Sequence, residues 1–481
     1  MSSSEETYDG GVWIGATTDG VVIARLRDGE LLVDRPARRT FGDPAPVLHA
    51  TEPPVVDGVT LAPVAPHPLG LATRSGCYEG EGRQLLLTHI PESYFGEPMI
   101  LLADGDHVVR AYALDESRVI AEDGRVVDLI EGAIRVDGVV FARSTRFIER
   151  TVSFSVDGVD LAGTVIIPPG DGPHPAAVLL HGAAGGQRDW CRLQATPILA
   201  AGVAVLIYDK AGHGVSSGDE PSIFEQADAG QAAMDLLATM PGIDPARIGL
   251  AGFSNGMWAV PMIAARHGAA FVAGVGSPGV SMAESEVHRR VKVLRESGIG
   301  PASLDAAAEA WRCIFAIVSE GPTDPAVARL GRALQALTAA PDLDRYEIPD
   351  YVRENPMLSP IPPLIPVAEL VGMLSAERDL QLGHDPAVDY ARISCPVFLQ
   401  YGADDTSVPV DASVAAVRAA APHAELRVYP GLEHKLNVLP ADVTGLSPED
   451  LMYQYHHFRY GNGVWAELTD WLRETVRAAE R

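Results

Sequence analysis

The sequence predicts an antiparallel β domain followed by an α/β domain built on a mostly parallel sheet. Three observations carry this expectation. Asp-Gly dipeptides recur through the first third of the chain and stop at Gly172. Beyond about residue 147, short apolar runs alternate with amphipathic stretches. One connection in that second part, from about Met282 to Ile393, is far too long for an ordinary loop.

The Asp-Gly pairs end at Gly10, Gly20, Gly29, Gly58, Gly105, Gly124, Gly138, Gly158 and Gly172. This dipeptide tolerates the positive φ angles that tight hairpins need. Between the turns lie alternating segments such as Val12–Ile14, Val21–Leu26, Val108–Ala113 and Ala133–Phe141. Residues 1–147 therefore read as a β-rich N-terminal domain. Pro44, Pro46, Pro53, Pro54, Pro63, Pro66 and Pro68 mark a loop-rich middle within it.

Residues 148–481 follow a different rhythm. A hairpin, Arg150–Val156 with Val159–Ile167, leads into the apolar run Pro175–Leu180. Strands are expected at Gly202–Tyr208, Arg247–Gly252, Phe271–Gly276, Pro396–Tyr401 and Glu425–Tyr429. Helices are expected at Ile223–Thr239, Asn255–Arg266, Ser413–Ala421 and Trp465–Glu480. Near-continuous apolar strands between amphipathic helices indicate a sheet buried on both faces. The long connection, residues 282–393, carries only helical patterns: Glu284–Glu296, Ser303–Val318, Asp324–Ala339 and Pro366–Asp379. With its proline-rich apolar link, Pro356 to Pro366, it reads as a helical lid inserted between two core strands.

The chemistry concentrates at Gly252-Phe253-Ser254-Asn255-Gly256, a G-x-S-x-G pattern on a strand-to-helix turn. A serine hydroxyl is inert at neutral pH without a base in hydrogen-bond reach. The scaffold then demands a histidine after the last strand and a carboxylate after the strand before it. His434, beyond Glu425–Tyr429, meets the first demand. Asp404 and Asp405 compete for the second, and Asp405 is preferred because it stands three residues before Val408-Pro409. Two backbone N–H groups must also meet the charge of a tetrahedral intermediate. Asn255 should supply one, and Ala183, in the glycine-rich turn His181 to Gly186, the other. His181 is expected to fix that loop, and Asp209 to shape its own turn.

Composition narrows the class. The 481 residues are 47% hydrophobic and 21% charged, with a formal net charge of −27. Such acidity disfavours nucleic acid and anionic membrane as partners. The four cysteines, Cys77, Cys191, Cys313 and Cys395, are widely spaced, as in a reducing compartment. The start lacks the apolar stretch of a signal peptide, so a cytoplasmic location is expected. No metal-ligand spacing, P-loop or dinucleotide fingerprint appears, so no cofactor is expected. Trp190, Trp258 and Trp311 are read as core packing rather than pocket lining. The aromatic stretch Tyr453 to Phe458 is read as packing for the C-terminal helix.

From about residue 148 onward the chain resembles the α/β-hydrolase superfamily, in particular the bacterial prolyl oligopeptidase and dienelactone hydrolase-like group. Val178-Leu-Leu-His-Gly182, Tyr208-Asp-Lys-Ala-Gly-His-Gly214 and Ile243-Asp-Pro-Ala-Arg-Ile-Gly-Leu250 carry the likeness. It departs from the group's frequent His-Gly-Gly or His-Gly-Ser turn by having Ala183 at the third position. The resemblance implies an α/β-hydrolase fold, and relatives of this kind often carry a β-rich N-terminal domain. The expected activity is hydrolysis of a carboxylic ester or related acyl bond through a Ser254 acyl-enzyme, on a medium-sized, partly hydrophobic substrate. Acyl transfer or cyclisation on the same residues, a peptidase, and a non-catalytic binding protein are the alternatives. The N-terminal domain is expected either to cap the pocket or to build a homodimer.

Overall fold

The computed structural model describes residues 12–17, 20–27, 30–35, 40–45, 55–56, 59–64, 74–90, 99–104, 107–183, 185–343, 346, 359–374, 379–437 and 463–478. The described strands of the N-terminal third pair antiparallel. Five short strands form one sheet, in the order Thr40–Ala45, Glu30–Arg35, Gly20–Arg27, Val12–Thr17, Ala62–Pro63. Eight further strands, from Gly76–Gly80 to Val139–Arg143, close into a barrel. Its interior is packed with Leu85, Leu87, Ile100, Leu102, Val127, Ile134 and Phe141.

Turn chemistry explains much of this. At Asp137-Gly138 and Asp157-Gly158 both residues have positive φ, which matches the right-handed twist of the strands they join. The segment Ala133–Phe141 accordingly is not one strand but a hairpin, Ala133–Val136 with Val139–Arg143, because Gly138 sits at its tip. Gly172 differs from the expectation too: it lacks a positive φ and joins no hairpin. Pro44 and Pro63, expected in loops, lie instead in the two edge strands of the first sheet, where a missing N–H costs no ladder bond. The pairs ending at Gly10, Gly29, Gly58 and Gly105, and the stretch Tyr453 to Phe458, lie outside the described residues.

The second part is an eight-stranded sheet. Its strands are β1 (Ile148–Val156), β2 (Val159–Ile167), β3 (His174–Leu180), β4 (Ala204–Tyr208), β5 (Ile243–Phe253), β6 (Val272–Val275), β7 (Val397–Gly402) and β8 (Glu425–Tyr429). The spatial order is β1-β2-β4-β3-β5-β6-β7-β8. β2 runs antiparallel to β1 and β4, and every other neighbour pair is parallel. One face is covered by α1 (Arg192–Ala200) and the C-terminal helix Val464–Ala478. The other is covered by α2 (Ile223–Thr239), α3 (Gly256–His267) and later helices. Ser222 and Glu225 cap α2 reciprocally, which fixes where that helix begins.

Between β6 and β7 come α4 (Met282–Glu296), α5 (Pro301–Glu320), α6 (Asp324–Thr338) and α7 (Val367–Leu374). They bury a core of their own. At its centre Trp311 stacks on Phe315 with ring centroids 5.3 Å apart and donates to the carbonyl of Pro360 at 2.9 Å. The guanidinium of Arg290 lies 4.5 Å from the Trp311 ring centroid. Of the expected helix Pro366–Asp379, Val367–Leu374 is helical, residues 375–378 lie outside the described residues, and Asp379 caps a separate turn, Leu380–Gly383. The barrel meets the second part at α1 and the C-terminal helix, where Cys77, Leu86 and Ala103 join the core of that face.

Because the helical insertion has its own core, it should be separable energetically. Trp311→Ala should remove about 3–5 kcal/mol of packing. Hydrogen exchange should then accelerate by two orders of magnitude or more in α4–α6, with amides of β3–β6 unchanged. Uniform acceleration across the sheet would contradict a separate unit.

Candidate active site

Ser254 follows β5 and precedes α3, and it takes a φ of 51°. A non-glycine residue in this left-handed region is strained unless its surroundings enforce it. Here they do. The Ser254 N–H donates to the Val275 carbonyl at 3.0 Å, which ties the turn to β6. A side chain at Gly256 would come within 2.6 Å of the His181 carbonyl oxygen and 2.8 Å of that of Leu180. The start of α3 thus presses directly against the end of β3. A side chain at Gly252 would meet Met257 at 2.7 Å. The two glycines permit a close corner, and the serine carries the strained angle.

His434 and Asp405 come to this corner from the loops after β8 and β7. The His434 Nε2 to Ser254 Oγ distance is 2.8 Å, and His434 Nδ1 to Asp405 Oδ2 is 2.7 Å. Asp405 is 3% exposed, whereas Asp404 is exposed and only its backbone N–H engages the histidine loop, at the Leu432 carbonyl. The distinction has a local cause. Asp405 Oδ1 accepts N–H bonds from Ser407 and Val408, at 2.7 and 2.8 Å, so its own loop aims the second oxygen at the imidazole.

Several contacts that sequence reading missed hold these loops together. Glu433 accepts from the N–H and hydroxyl of Thr406 on the aspartate loop, and from the N–H of His434 on its own. A side chain at Gly402 would fall 2.3 Å from the carbonyl oxygens of Leu432 and Glu433, so glycine is what lets the two loops cross. Phe253 lies beside the imidazole, ring centroids 5.2 Å apart. From the insertion, Lys292 donates to the carbonyls of Asp404 and Asp405 at 3.3 and 3.4 Å. His288, one turn earlier on α4, has its pKa lowered by burial and by Lys292, with Asp405 opposing. A glutamate adjacent to the histidine in sequence could have been flagged; a lysine more than a hundred residues away could not.

The turn after β3 completes the site. Among the described residues the backbone N–H groups of Asn255 and Ala183 donate to no other backbone carbonyl, and Asn255 heads α3, where the helix dipole favours negative charge. Ala184 lies outside the described residues. His181 is buried, its Nε2 bonded to the Tyr208 carbonyl and its Nδ1 3.3 Å from the Cys191 sulfur. Burial pushes this imidazole down to about 4, with the Tyr208 bond opposing. It also pushes the Cys191 thiol up. Asp209 accepts from the N–H groups of Arg188 and Val215 and pairs with the Arg188 guanidinium at 3.3 Å, which shapes the turn after β4. Trp258 and Trp311 are buried in two different cores, and Trp190 stacks over Gly185 in the glycine-rich turn. Among the described residues, no cluster of three or more His, Cys, Asp or Glu side chains is arranged to hold a metal ion. No helix among them is long and apolar enough to cross a membrane.

Residues 177–445, more than half of the chain, match the model of the alpha/beta hydrolase family. The chain belongs to that family and is a hydrolase by class. Among solved structures, 2,6-dihydroxy-pseudo-oxynicotine hydrolase is 18% identical, with 69% of this chain and 68% of that one covered and a TM-score of 0.39. An esterase of Pyrococcus furiosus is 17% identical, covering 65% of this chain and 90% of its own, at a TM-score of 0.38. Est1E of Butyrivibrio proteoclasticus, solved with ferulic acid, is 18% identical, covering 68% and 98%, at 0.37. Membership rests on the family match alone. No curated protein sequence matches the chain.

Two outcomes follow from this packing. Gly256→Ala should push α3 off β3 and misplace Ser254, and displacements near 1 Å cost about a hundredfold in rate; initial rates on an activated ester will measure it. His181 is held near 4 when folded against an ordinary 6.5, so the unfolded chain binds the extra proton. Its contribution is complete above pH 6.5 and is lost as pH falls from 6.5 toward 4, about 3 kcal/mol in all. Melting temperatures taken across pH 4–7 should show a shallower acid slope in His181→Gln than in wild type.

Proposed function

We propose that the chain is a serine hydrolase that cleaves a carboxylic ester or related acyl bond through an acyl-enzyme on Ser254. The observation that carries this reading is the continuous hydrogen-bond chain Ser254 Oγ, His434 Nε2, His434 Nδ1, Asp405 Oδ2 at 2.8 and 2.7 Å. His434 takes the Ser254 proton as Oγ attacks the acyl carbon. The carbonyl oxygen becomes negative and is held by the N–H groups of Ala183 and Asn255, each donor typically worth about 2.7–4 kcal/mol of barrier. His434 then gives the proton to the leaving alcohol, and the tetrahedral adduct collapses to the acyl-enzyme. Water repeats the sequence: His434 removes its proton, hydroxide adds to the acyl carbon, and Ser254 leaves with that proton. Asp405 keeps the imidazole in the tautomer that presents Nε2 as a base and steadies the imidazolium.

Helices α4–α7 act in this proposal as a lid over the site. Their apolar link, with Ile361 and Ile365 packed on the insertion core, suits a medium-sized and partly hydrophobic acyl group. The strongly acidic composition and scattered free thiols fit a cytoplasmic enzyme without nucleic acid or membrane partners.

A fluorophosphonate probe should label wild type and leave Ser254→Ala unlabelled; equal labelling of both would sink the proposal. Asp405→Asn should lower kcat on an activated ester by about 10⁴, whereas Asp404→Asn should stay within a few-fold of wild type. Equal losses would instead mean that the exposed aspartate has a part in the chemistry.

A further inference from the structure

Lys210 is the only buried lysine among the described residues, 1% exposed at the end of β4. A buried ammonium is costly unless it is paired and used. Its Nζ lies 2.6 Å from Glu220 Oε1 and 3.5 Å from the carbonyl oxygen of Ala183. Its backbone N–H donates to the Gly186 carbonyl at 2.8 Å. One residue therefore touches the turn that bears the proposed Ala183 donor at two points, Ala183 and Gly186. His213 closes the arrangement: its Nε2 bonds the other oxygen of Glu220, and its ring fills the space where a side chain at Gly186 would sit, 2.5 Å away.

The Lys210–Glu220 pair is unequal in its exposure to water. Asp209, the adjacent carboxylate, is already engaged by Arg188 and two N–H groups. His181 is held neutral by burial, with Lys210 among the groups that oppose its protonation. The partner carboxylate, Glu220, is 57% exposed, so its charge is screened by water on the outer side. The ammonium thus faces the glycine-rich turn from within a medium of low dielectric, where a fixed charge acts strongly. The choice of residue fits this role. The chain carries 37 lysines and arginines, and only Lys210, Lys292 and Lys435 are lysines. A compact ammonium fits beneath a tight turn where a planar guanidinium would not.

We propose that Lys210, anchored by Glu220 and His213, is a positioning residue for the oxyanion: it holds the Ala183 turn in place and directs positive charge toward the oxygen that becomes negative. This rests on the Ser254 reading above and adds a residue outside the triad to it.

The test uses the full-length chain with a p-nitrophenyl ester, active sites counted by fluorophosphonate titration, and a trifluoromethyl ketone as mimic of the tetrahedral adduct. Lys210→Met should lower kcat per titrated site by about ten- to a hundredfold, with KM within about twofold. The inhibition constant of the ketone should rise by the same factor as kcat/KM falls. A merely structural role would lower the titratable fraction and leave both ratios alone. Wild-type kcat per site, or a lower kcat with an unchanged ketone constant, overturns the proposal. Should Lys210→Met fail to fold, Glu220→Gln serves, since its side chain is largely in water; about a three- to tenfold loss with the same proportional rise is expected, and wild-type behaviour overturns the proposal. Ser254→Ala separates the two readings: if it is inactive while Lys210→Met is normal, only the role of Lys210 falls, whereas an active Ser254→Ala removes the reading on which both depend.

Discussion

The site depends on one steric constraint, the contact between the first turn of α3 and the last residues of β3. With no side chain at Gly256, the helix rests on the carbonyls of Leu180 and His181. That close approach leaves two residues, Ser254 and Asn255, between β5 and α3, and Ser254 turns the corner at positive φ. The corner sets the hydroxyl 2.8 Å from His434 Nε2. Strain of this kind costs on the order of 1–3 kcal/mol and persists only where the neighbours over-determine it. The parallel ladders on both sides of β5 provide that over-determination.

A second level of order brings the other two side chains to the corner. The loops after β7 and β8 cross at Gly402, where any side chain would strike the carbonyls of Leu432 and Glu433. Glu433 then locks the crossing by bonding both loops at once. Asp405 is pre-aimed by two N–H groups of its own turn and so does not depend on the histidine for its orientation. The geometry is built from backbone contacts first, and the ionisable groups are set into it.

The rest of the molecule relates to this rim unevenly. The insertion reaches it through α4, whose Lys292 touches the backbone of Asp404 and Asp405. The barrel meets the second part elsewhere, at α1 and the C-terminal helix. Cations do different work in these places. Arg290 is buried against Trp311 and Phe315 and pairs with Glu286, a use suited to a flat guanidinium, whereas Lys210 and Lys292 reach backbone carbonyls.

Much of this was legible in the sequence because it is local. Strand Glu425–Tyr429 and helix Ile223–Thr239 lie where apolar periodicity puts them. Tight turns at Gly138 and Gly158 follow from Asp-Gly chemistry, and the order of serine, aspartate and histidine follows from strand order. The closing of eight N-terminal strands into a barrel was not legible, since closure depends on pairing Val139–Arg143 with Gly76–Gly80 across the whole motif. Neither were Lys292 on the aspartate loop or Lys210 under the turn at Ala183, whose partners are distant in sequence. By itself the sequence determined the elements, their order and the residue types at the rim, because periodicity, capping and turn preference act within a few residues. Only the tertiary structure decided which aspartate faces His434, which cation lies buried and which glycines mark a collision avoided, because those depend on atoms brought together from distant parts of the chain.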